Sequence, residues 1–371
     1  MNWSIVLRTD TADFTKLFLE DTPLLDVRAP VEFTRGAFPS ADNHPLLDDC
    51  QRELIGTTYK NNGQQAAINL GWELASEEIL ATRLTYWKSF IDHYPDGYLY
   101  CFRGGLRSRF AQKLLREAGI DYPMVKGGYK AMRSFLLSEL EKQCENLPLM
   151  VIAGHTGSGK TELINLVQRS VDLEGIAKHR GSSFGRTNSQ QPSQINFENK
   201  LSIDLLKLSQ SPGSVVIEDE SRLIGRCALP HVLQAAMKTA PRVLVEEPVE
   251  ARAQRIVRDY ISEGLNRFTG SEKPPAESLG EELRFNLNKI RKRLGGLRYK
   301  QLDEALNSAN RELLKSNNSE AYIPVVISLL QDYYDGSYDH IMKKANQEIL
   351  FRGTYKEVQQ WLSDSSQLPQ K

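Results

Sequence analysis

Cysteine is scarce in this sequence, and the four that occur are scattered. They lie at Cys50, Cys101, Cys144 and Cys227, with no Cys-x-x-Cys pair among them. This spacing argues against a disulfide framework or a zinc site and is typical of a reducing compartment.

The N-terminal stretch MNWSIVLRTDTADF lacks the apolar segment of a signal peptide, and no apolar run approaches the ~20 residues that cross a bilayer. We therefore expect a cytoplasmic protein without membrane attachment.

Net charge is also lacking, since Lys+Arg and Asp+Glu both number 47. A nucleic-acid partner would therefore have to be met by a local basic patch and not by overall charge. The 371 residues favour two domains, and the 40% of hydrophobic residues provide enough apolar surface for buried cores.

Short apolar runs alternate with helical patterns through the first part of the chain. Residues 22–28, 97–102 and 122–128 have the pattern of buried strands, whereas 108–119 and 129–146 have that of helices. In the second part, the run LMVIAG is followed by two further predicted strands, at residues 214–221 and 242–247. A helix is predicted at 249–264 and a surface loop at 271–280.

This alternation predicts an α/β fold with parallel sheets in both parts. The boundaries that follow are 1–137 for the first domain, 138–147 for a helical linker and 148–371 for a second domain with a helical, basic C-terminal part.

The stretch YLYCFRGGLRSRF, residues 98–110, ends a predicted strand on a cysteine and continues through a glycine loop into a helix. Loop amides that converge at a helix N-terminus attract anions, and two nearby arginines add full charges. These effects favour the thiolate, although a buried structural cysteine is the competing interpretation. The candidates are Cys101, Arg103 and Arg107 for catalysis, with Gly104, Gly105 and Leu106 forming the anion loop.

Two flanking motifs resemble those of rhodanese domains. The stretch LLDVRAPVEFTRGAFPSADNHPL resembles their N-terminal signature, and VKGGYKAMR resembles their closing motif, so the resemblance covers residues 4–135. It implies a parallel-sheet domain with the cysteine loop as its site.

Here the Cys-x5-Arg loop is wider by one residue than in the sulfurtransferases, which suits an anion larger than sulfide. Phosphatases and arsenate reductases share this length, but Tyr100 stands where those phosphatases have a histidine.

The stretch GHTGSGKT is a full Walker A pattern, lying between an apolar strand and a helix. In such a loop the amides cradle phosphate oxygens, the lysine supplies a charge and the hydroxyl is a Mg²⁺ ligand. Any pyrophosphate would satisfy these groups, so nucleotide hydrolysis does not follow. The predicted phosphate-binding residues are Gly154, Gly157, Ser158, Gly159, Lys160 and Thr161.

Carboxylates and a polar loop follow the phosphate loop in sequence. Asp219 and Glu218 end the predicted strand SVVIEDES, where Asp219 could hold Mg²⁺ together with Thr161, or both could be solvated strand-end acids. The loop HRGSSFG offers His179, Arg180 and Ser182, which either face substrate or stabilise a turn.

Residues 284–300, RFNLNKIRKRLGGLRYK, contain seven basic residues and no acidic one. Charge runs usually form solvated helix faces, but this one has interleaved aromatic residues and is typical of contact with a phosphate backbone and unstacked bases. The predicted RNA contacts are Arg284, Lys289, Arg291, Lys292, Arg293 and Arg298. Arg252, Arg255 and Arg258 either lie near the phosphates or extend the patch.

The order of these motifs over residues 1 to about 350 resembles the tRNA 2-selenouridine synthase family. The resemblance implies replacement of the sulfur of wobble 2-thiouridine by selenium from selenophosphate, through a geranylated base made from geranyl diphosphate. It also implies a tRNA anticodon arm as substrate, Mg²⁺ with the diphosphate, no tightly bound cofactor, and a selenophosphate-supplying enzyme as a partner. We expect a monomer.

Two other classes of function fit parts of the sequence. One is a Cys-x5-Arg phosphatase or arsenate reductase fused to a kinase-like nucleotide-binding domain. The other is a nucleotide-regulated binding module without chemistry at Cys101.

Overall fold

A computed structural model describes residues 8–182, 184–187, 189–343 and 347–364 of the chain. Its backbone contacts divide the described residues into two compact units. The first unit comprises Met1–Lys142 and Ser193–Lys207, and the second comprises Gln143–Pro192 and Leu208–Lys371. Within the described residues, no helix has both the length and the apolar character needed to cross a membrane.

Helices and strands alternate along the chain as expected for an α/β protein. In chain order they are α1 (Phe14–Leu19), β1 (Leu24–Asp26), α2 (Pro30–Arg35), β2 (Ala41–Asn43), α3 (Asp49–Glu73), α4 (Glu77–His93), β3 (Tyr98–Tyr100), α5 (Leu106–Glu117), α6 (Gly128–Asn146), β4 (Leu149–Gly154), α7 (Lys160–Leu166), β5 (Ser170–Val171), α8 (Leu173–Ala177), α9 (Gln194–Leu208), β6 (Val215–Glu218), β7 (Leu223–Ile224), β8 (Cys227–Ala228), α10 (His231–Thr239), β9 (Arg242–Val245), α11 (Val249–Ile256), α12 (Glu263–Leu265), α13 (Pro275–Leu294), α14 (Gly296–Ser316), α15 (Ile323–Leu329), α16 (Gly336–Lys343), β10 (Ile349–Gly353) and α17 (Tyr355–Ser363).

The first unit is built on a parallel sheet in the order β2-β1-β3. Residues 122–128, predicted as a strand, run beside β3 only through isolated bridges, Leu99 with Met124 and Thr11 with Val125. The sheet is short, and its apolar residues pack against helices that include α4, where Trp87 is fully buried. Both faces are therefore covered, as parallel sheets require.

Helix α9 belongs to the first unit although the chain on either side of it belongs to the second. The Asn199 side chain donates to the carbonyl of Ala37 at 2.8 Å, and the Ser202 hydroxyl donates to that of Leu136 at 2.6 Å. Ile203 and Leu206 complete one of the apolar clusters of this unit.

Helix α3 is broken in the middle at Gly63, whose φ of 83° and ψ of −179° lie in a region essentially restricted to glycine. The two halves of the helix therefore run in different directions. No atom lies within 4 Å of a Cβ built at this residue, so the glycine is required by backbone conformation and not by packing.

The start of α6 holds the backbone that follows β3. Tyr129 N–H donates to the Cys101 carbonyl and Lys130 N–H to the Phe102 carbonyl, both at 2.9 Å. A Cβ at Gly128 (φ 57°) would lie 2.3 Å from the Cys101 carbonyl oxygen and 2.5 Å from the Gly104 nitrogen. The glycine pair in VKGGYK therefore permits this close approach.

The second unit contains a five-stranded parallel sheet in the order β10-β9-β4-β6-β5. All six residues of β4, the central strand, are buried. A continuous apolar strand of this kind is typical of a parallel sheet covered on both faces, and it places the chain after β4 at the carboxyl edge of the sheet.

One prediction for the helical part is corrected by the structure. The loop predicted at 271–280 is already helical from Pro275, which occupies the first helical position, where a missing N–H has no cost. The helical stretch predicted at 249–264 is confirmed: α11 continues directly into a π-helical segment, Val257–Ser262, and then α12.

We predict that Gly128→Ala lowers the free energy of unfolding by about 3 kcal/mol or more, because the new methyl group collides with backbone that cannot move independently. The control is Gly119→Ala: Gly119 also has a positive φ, of 82°, but no atom within 4 Å of a built Cβ. That change should cost only the left-handed strain of about 1–2 kcal/mol. Urea denaturation measures both; equal losses would show that the close approach is unimportant.

Candidate active site

Cys101 follows directly after β3, at the carboxyl edge of the first sheet. Its side chain is only 2% exposed and packs with Leu25, Leu99 and Ala111. Helix α5 begins at Leu106, after a loop whose N-cap is Gly105. The structure thus places the predicted residues as a strand, a loop and a helix N-terminus, the arrangement in which loop amides and the helix dipole favour an anion.

The two arginines of this loop lie in different environments. Arg107 makes a bidentate pair with Glu32, with distances of 2.5 and 3.0 Å. Burial alone would lower the pKa of Arg107, but the pair with Glu32 holds that pKa above its usual value. Arg103 is exposed, and within the described residues it forms no ion pair. Arg103 is therefore the loop arginine whose charge is available to a ligand.

A buried ion pair lies next to the cysteine loop. The Arg28 guanidinium donates to both carboxylate oxygens of Asp26, at 2.6 to 3.0 Å, and to the Gly36 carbonyl at 2.7 Å. The Tyr100 hydroxyl donates to Asp26 at 2.6 Å, and the Arg28 guanidinium lies 3.9 Å from the centre of the Tyr129 ring. This network joins the ends of β1 and β3 to the start of α6.

A cavity of about 1140 Å³ opens beside the cysteine loop, within the first unit. Cys101 and Arg103 line the cavity together with residues from both halves of α3, among them Ile55, Ile68 and Trp72. The volume slightly exceeds the roughly 300–1,000 Å³ that is usual for pockets of drug-sized ligands.

In the second unit, the predicted phosphate loop connects β4 to α7. Its residues Gly154, Gly157 and Gly159 all have positive φ, and Ser158 is fully buried. The Lys160 ammonium donates to the Gly154 carbonyl at 2.8 Å, so the lysine side chain folds back onto the loop from which it extends. The loop therefore has the curvature that cradles phosphate oxygens at a helix N-terminus.

Buried carboxylates surround the hydroxyl of Thr161. This hydroxyl donates to Glu174 at 3.0 Å and lies 3.3 Å from Glu218. Burial raises the pKa of Glu174, Glu218 and Glu220, and the charge of Glu174 raises that of the other two further, Glu220 to about 8. Asp219 instead forms an ion pair with Arg242 at 2.9 Å. Glu218 and Glu174 are therefore the carboxylates beside Thr161.

Two arginines of α11 support the phosphate loop. Arg255 donates to the Gly157 carbonyl at 2.7 Å, and its guanidinium lies 5.1 Å from the centre of the Tyr355 ring. Arg252 pairs with Asp335 at 2.7 Å and donates to the Thr156 carbonyl at 3.3 Å. Arg258 is more exposed and pairs with Glu162 and Asp259.

The HRGSSFG loop is folded around Tyr260 and the π-helical segment. Arg180 donates to the Asp259 carbonyl and pairs with Glu263 at 2.9 Å. The Ser182 hydroxyl accepts from the Phe184 amide at 3.1 Å and lies 3.3 Å from the Tyr260 hydroxyl. Burial lowers the pKa of His179, as do the charges of Arg186 and Lys289.

The basic stretch spans the end of α13 and the start of α14. Arg284 pairs with Asp303 at 3.0 Å and Arg298 with Asp332 at 3.5 Å, so the structure supplies acids that the stretch itself lacks. The other four predicted contacts form no ion pair within the described residues: Lys289 lies over Phe285 at 4.5 Å, Arg291 over Tyr299 at 5.0 Å, Arg293 donates to Tyr333 at 3.2 Å, and Lys292 is exposed.

Two features of these sites were not predicted from the sequence. Glu32 is part of the Glu-Phe of the rhodanese-like motif, so its position could have suggested a role. Glu174 has no comparable signal, because its contact with Thr161 joins separate segments of the chain. The sequence left two positions open for Arg255, and the structure shows it in contact with the phosphate loop.

A parallel sheet with a glycine loop between its central strand and the following helix defines the second unit as a P-loop-like α/β domain. The family model described as the tRNA 2-selenouridine synthase AAA domain matches residues 147–368. The chain is 48% identical to tRNA 2-selenouridine synthase of Alcanivorax borkumensis over 96% of this chain and 99% of that protein. It is 46% identical to the same-named protein of Marinobacter nauticus over 95% and 97%, respectively. The chain belongs to the tRNA 2-selenouridine synthase family.

We predict that Arg255→Ala weakens binding of inorganic pyrophosphate about tenfold, because the Gly157 carbonyl loses the hydrogen bond that holds the loop. Arg258→Ala is the matched control, since it removes an equal charge from the next turn of the same helical region but contacts only carboxylates. It should change affinity less than threefold. Calorimetric titration measures both; equal losses would mean that only net charge matters.

Proposed function

We propose that this chain is a tRNA-modifying transferase that converts wobble 2-thiouridine to 2-selenouridine. Selenophosphate is the selenium donor, and S-geranyl-2-thiouridine, made from geranyl diphosphate, is the intermediate. The observation that carries the proposal is the presence of two glycine-containing loops in one member of this family, each between the end of a parallel strand and the N-terminus of a helix. Two different anionic co-substrates fit two separate loops.

The Cys101 loop is the proposed site of selenium transfer, in a unit that we propose to be rhodanese-like. The amides of Gly104, Gly105 and Leu106 face the anion, and Arg103 supplies the charge that is not already paired. Arg107 is held by Glu32 and orients the first turn of α5.

The phosphate loop is the proposed site of geranyl transfer. Its amides and Lys160 hold the diphosphate of the donor, so that negative charge is stabilised as the diphosphate leaves. The oxygen-rich surroundings fit Mg²⁺, which would be held by the Thr161 hydroxyl with Glu218 and Glu174 nearby. Mg²⁺ would neutralise charge on the diphosphate.

Within the described residues, no group of three or more His, Cys, Asp or Glu side chains could hold a metal ion. Diphosphate oxygens and water would therefore have to supply the rest of the coordination shell, as is usual for Mg²⁺ at phosphate loops. This requirement links binding of the metal to binding of the diphosphate.

The anticodon arm of tRNA is the proposed RNA substrate, bound through Lys289, Arg291, Lys292 and Arg293. These cations lack acidic partners in the described part of the chain, and the exposed ring of Phe285 beside Lys289 suits an unstacked base. The charge of Lys289 is also one of the causes that lower the pKa of His179 in the HRGSSFG loop. We also propose that the protein acts in the cytoplasm as a monomer and that a selenophosphate-producing enzyme supplies its selenium donor.

We predict that two substitutions separate the half-reactions. Cys101→Ser, nearly isosteric, should abolish selenium incorporation and leave geranyl transfer largely intact. Lys160→Ala should weaken diphosphate binding roughly 10- to 100-fold, because a charge-assisted contact is lost, yet should still convert supplied geranylated tRNA. Mass spectrometry of tRNA nucleosides measures both products. The opposite pattern would assign the half-reactions to the opposite units.

We predict that neutralising Arg291, Lys292 and Arg293 together reduces the slope of log affinity against log salt by roughly 2 to 3, because about three phosphate contacts are lost. The control replaces Arg284 and Arg298 by Gln; both already pair with carboxylates and should change the slope by less than 1. Filter binding of tRNA at several salt concentrations provides the measurement. An unchanged slope in the triple variant would mean that the basic stretch is a solvated surface and does not contact RNA phosphates.

The phosphatase-like alternative is distinguished by a simple assay. It requires hydrolysis of an aryl phosphate that depends on Cys101, whereas the proposed transferase should show none above the Cys101→Ser background.

A further inference from the structure

The cavity beside Cys101 is far larger than a small anion needs. The loop amides and Arg103 are sufficient to bind an anion such as selenophosphate, but the cavity measures about 1140 Å³ and extends along both halves of α3. A space of this size next to a reactive group is usually matched to a substantial part of a substrate.

The walls of the cavity and its charged residues have different chemistry. Ile55, Ile68 and Phe110 give apolar walls near the loop. Arg35, Lys60 and Arg103 are exposed lining residues and form no ion pair within the described residues. The expected ligand is therefore an apolar group attached to something that carries negative charge.

The break in α3 helps to create this space. Lining residues come from both sides of Gly63, Ile55 before it and Ile68 after it, so the change of direction lets one helix contribute two parts of the wall. Since no packing contact requires the glycine, the bend is built into the backbone itself.

We propose that this cavity binds the hydrocarbon chain of an S-prenylated 2-thiouridine in RNA, next to the Cys101 loop. The inference rests on the proposed function and assigns the recognition of the geranylated base to the first unit. The hydrocarbon chain lies against the apolar wall of α3, and the unpaired cations at Arg35 and Lys60 face RNA phosphates, while Arg103 stays with the anion of the Cys101 loop. The free diphosphate donor is assigned to the second unit, where the phosphate loop and Lys160 provide its cradle.

The test is a chain-length series of S-alkyl-2-thiouridine nucleosides, with methyl, dimethylallyl and geranyl groups, bound to the full-length protein in equilibrium dialysis. Burial of each CH₂ is worth about fourfold in affinity, the equivalent of ~0.8 kcal/mol, when the pocket is dry and complementary. We expect at least tenfold tighter binding at each step of the series, from methyl to dimethylallyl and from dimethylallyl to geranyl. Affinities that are independent of chain length would overturn the proposal.

Two wall variants and one control make the test specific. Ala67→Phe fills the cavity, and Ile68→Gln, at a half-buried position that tolerates a polar side chain, makes its wall polar; both should flatten the series. Leu137→Gln changes an exposed leucine of the same unit that does not line the cavity, and should leave the series unchanged. Thermal melting confirms folding of each variant, and a steep series in a folded Ile68→Gln protein would contradict the assignment.

A second arm distinguishes the two sources of a prenyl chain. Geranyl diphosphate binding should be lost in Lys160→Ala and retained in Ile68→Gln; the reverse result would mean that the cavity holds the free donor and would overturn the proposal. Conversion of geranylated tRNA to selenouridine by the unaltered protein is measured separately. Failure of that conversion together with a steep chain-length series would refute the proposed function while still supporting an apolar-chain site in the cavity.

Discussion

The buried pair of Asp26 and Arg28 is the interaction on which the first unit depends. Two charges that are at most 1% exposed must satisfy each other completely, because an uncompensated charge in such a place costs several kcal/mol. Arg28 meets this requirement by reaching Asp26, the Gly36 carbonyl and the face of Tyr129 at the same time, while Tyr100 fills the remaining side of Asp26. The residue after Tyr100 is Cys101, so this network fixes the position at which the Cys101 loop begins. A pair of this kind adds little net stability but selects one arrangement of four chain segments.

In the second unit, groups of like charge lie close together, unlike the pair of opposite charges in the first unit. Its carboxylates at Glu174, Glu218 and Glu220 repel one another, and their raised pKa values reflect burial together with that repulsion. Lys160 opposes the effect at Glu174 and Glu220 but is itself turned toward the Gly154 carbonyl. Under the proposed function, a cluster of carboxyl groups next to a phosphate loop suits an anion that arrives with a divalent cation better than it suits an anion alone. Joint binding of the two would then be favoured over sequential binding.

Much of the architecture could be predicted because it depends on local pattern. The strands, the glycine loops and the helices that follow them all have apolar periodicity or turn residues that indicate their type, and α5 and α6 begin within two residues of the predicted positions. The contacts that the pattern does not indicate share a physical cause, which is that partners distant in sequence decide them. Asp303 and Asp332 pair with the basic stretch, Arg242 pairs with Asp219, and nothing in the pattern of residues 194–208 indicates that α9 packs on the first unit.

The placement of α9 has a consequence for biosynthesis. When the ribosome has produced the first 142 residues, the N-terminal unit still lacks the helix that covers Leu136 and carries Asn199 to the Ala37 carbonyl. About 65 more residues must emerge, including the phosphate loop, which takes on the order of several seconds at ordinary rates of translation. During that interval, the apolar surface that Ile203 and Leu206 later cover is exposed to solvent. The nascent chain therefore cannot complete its first unit before part of the second has been made, and the two halves of this protein cannot be separated by a single cut in the gene.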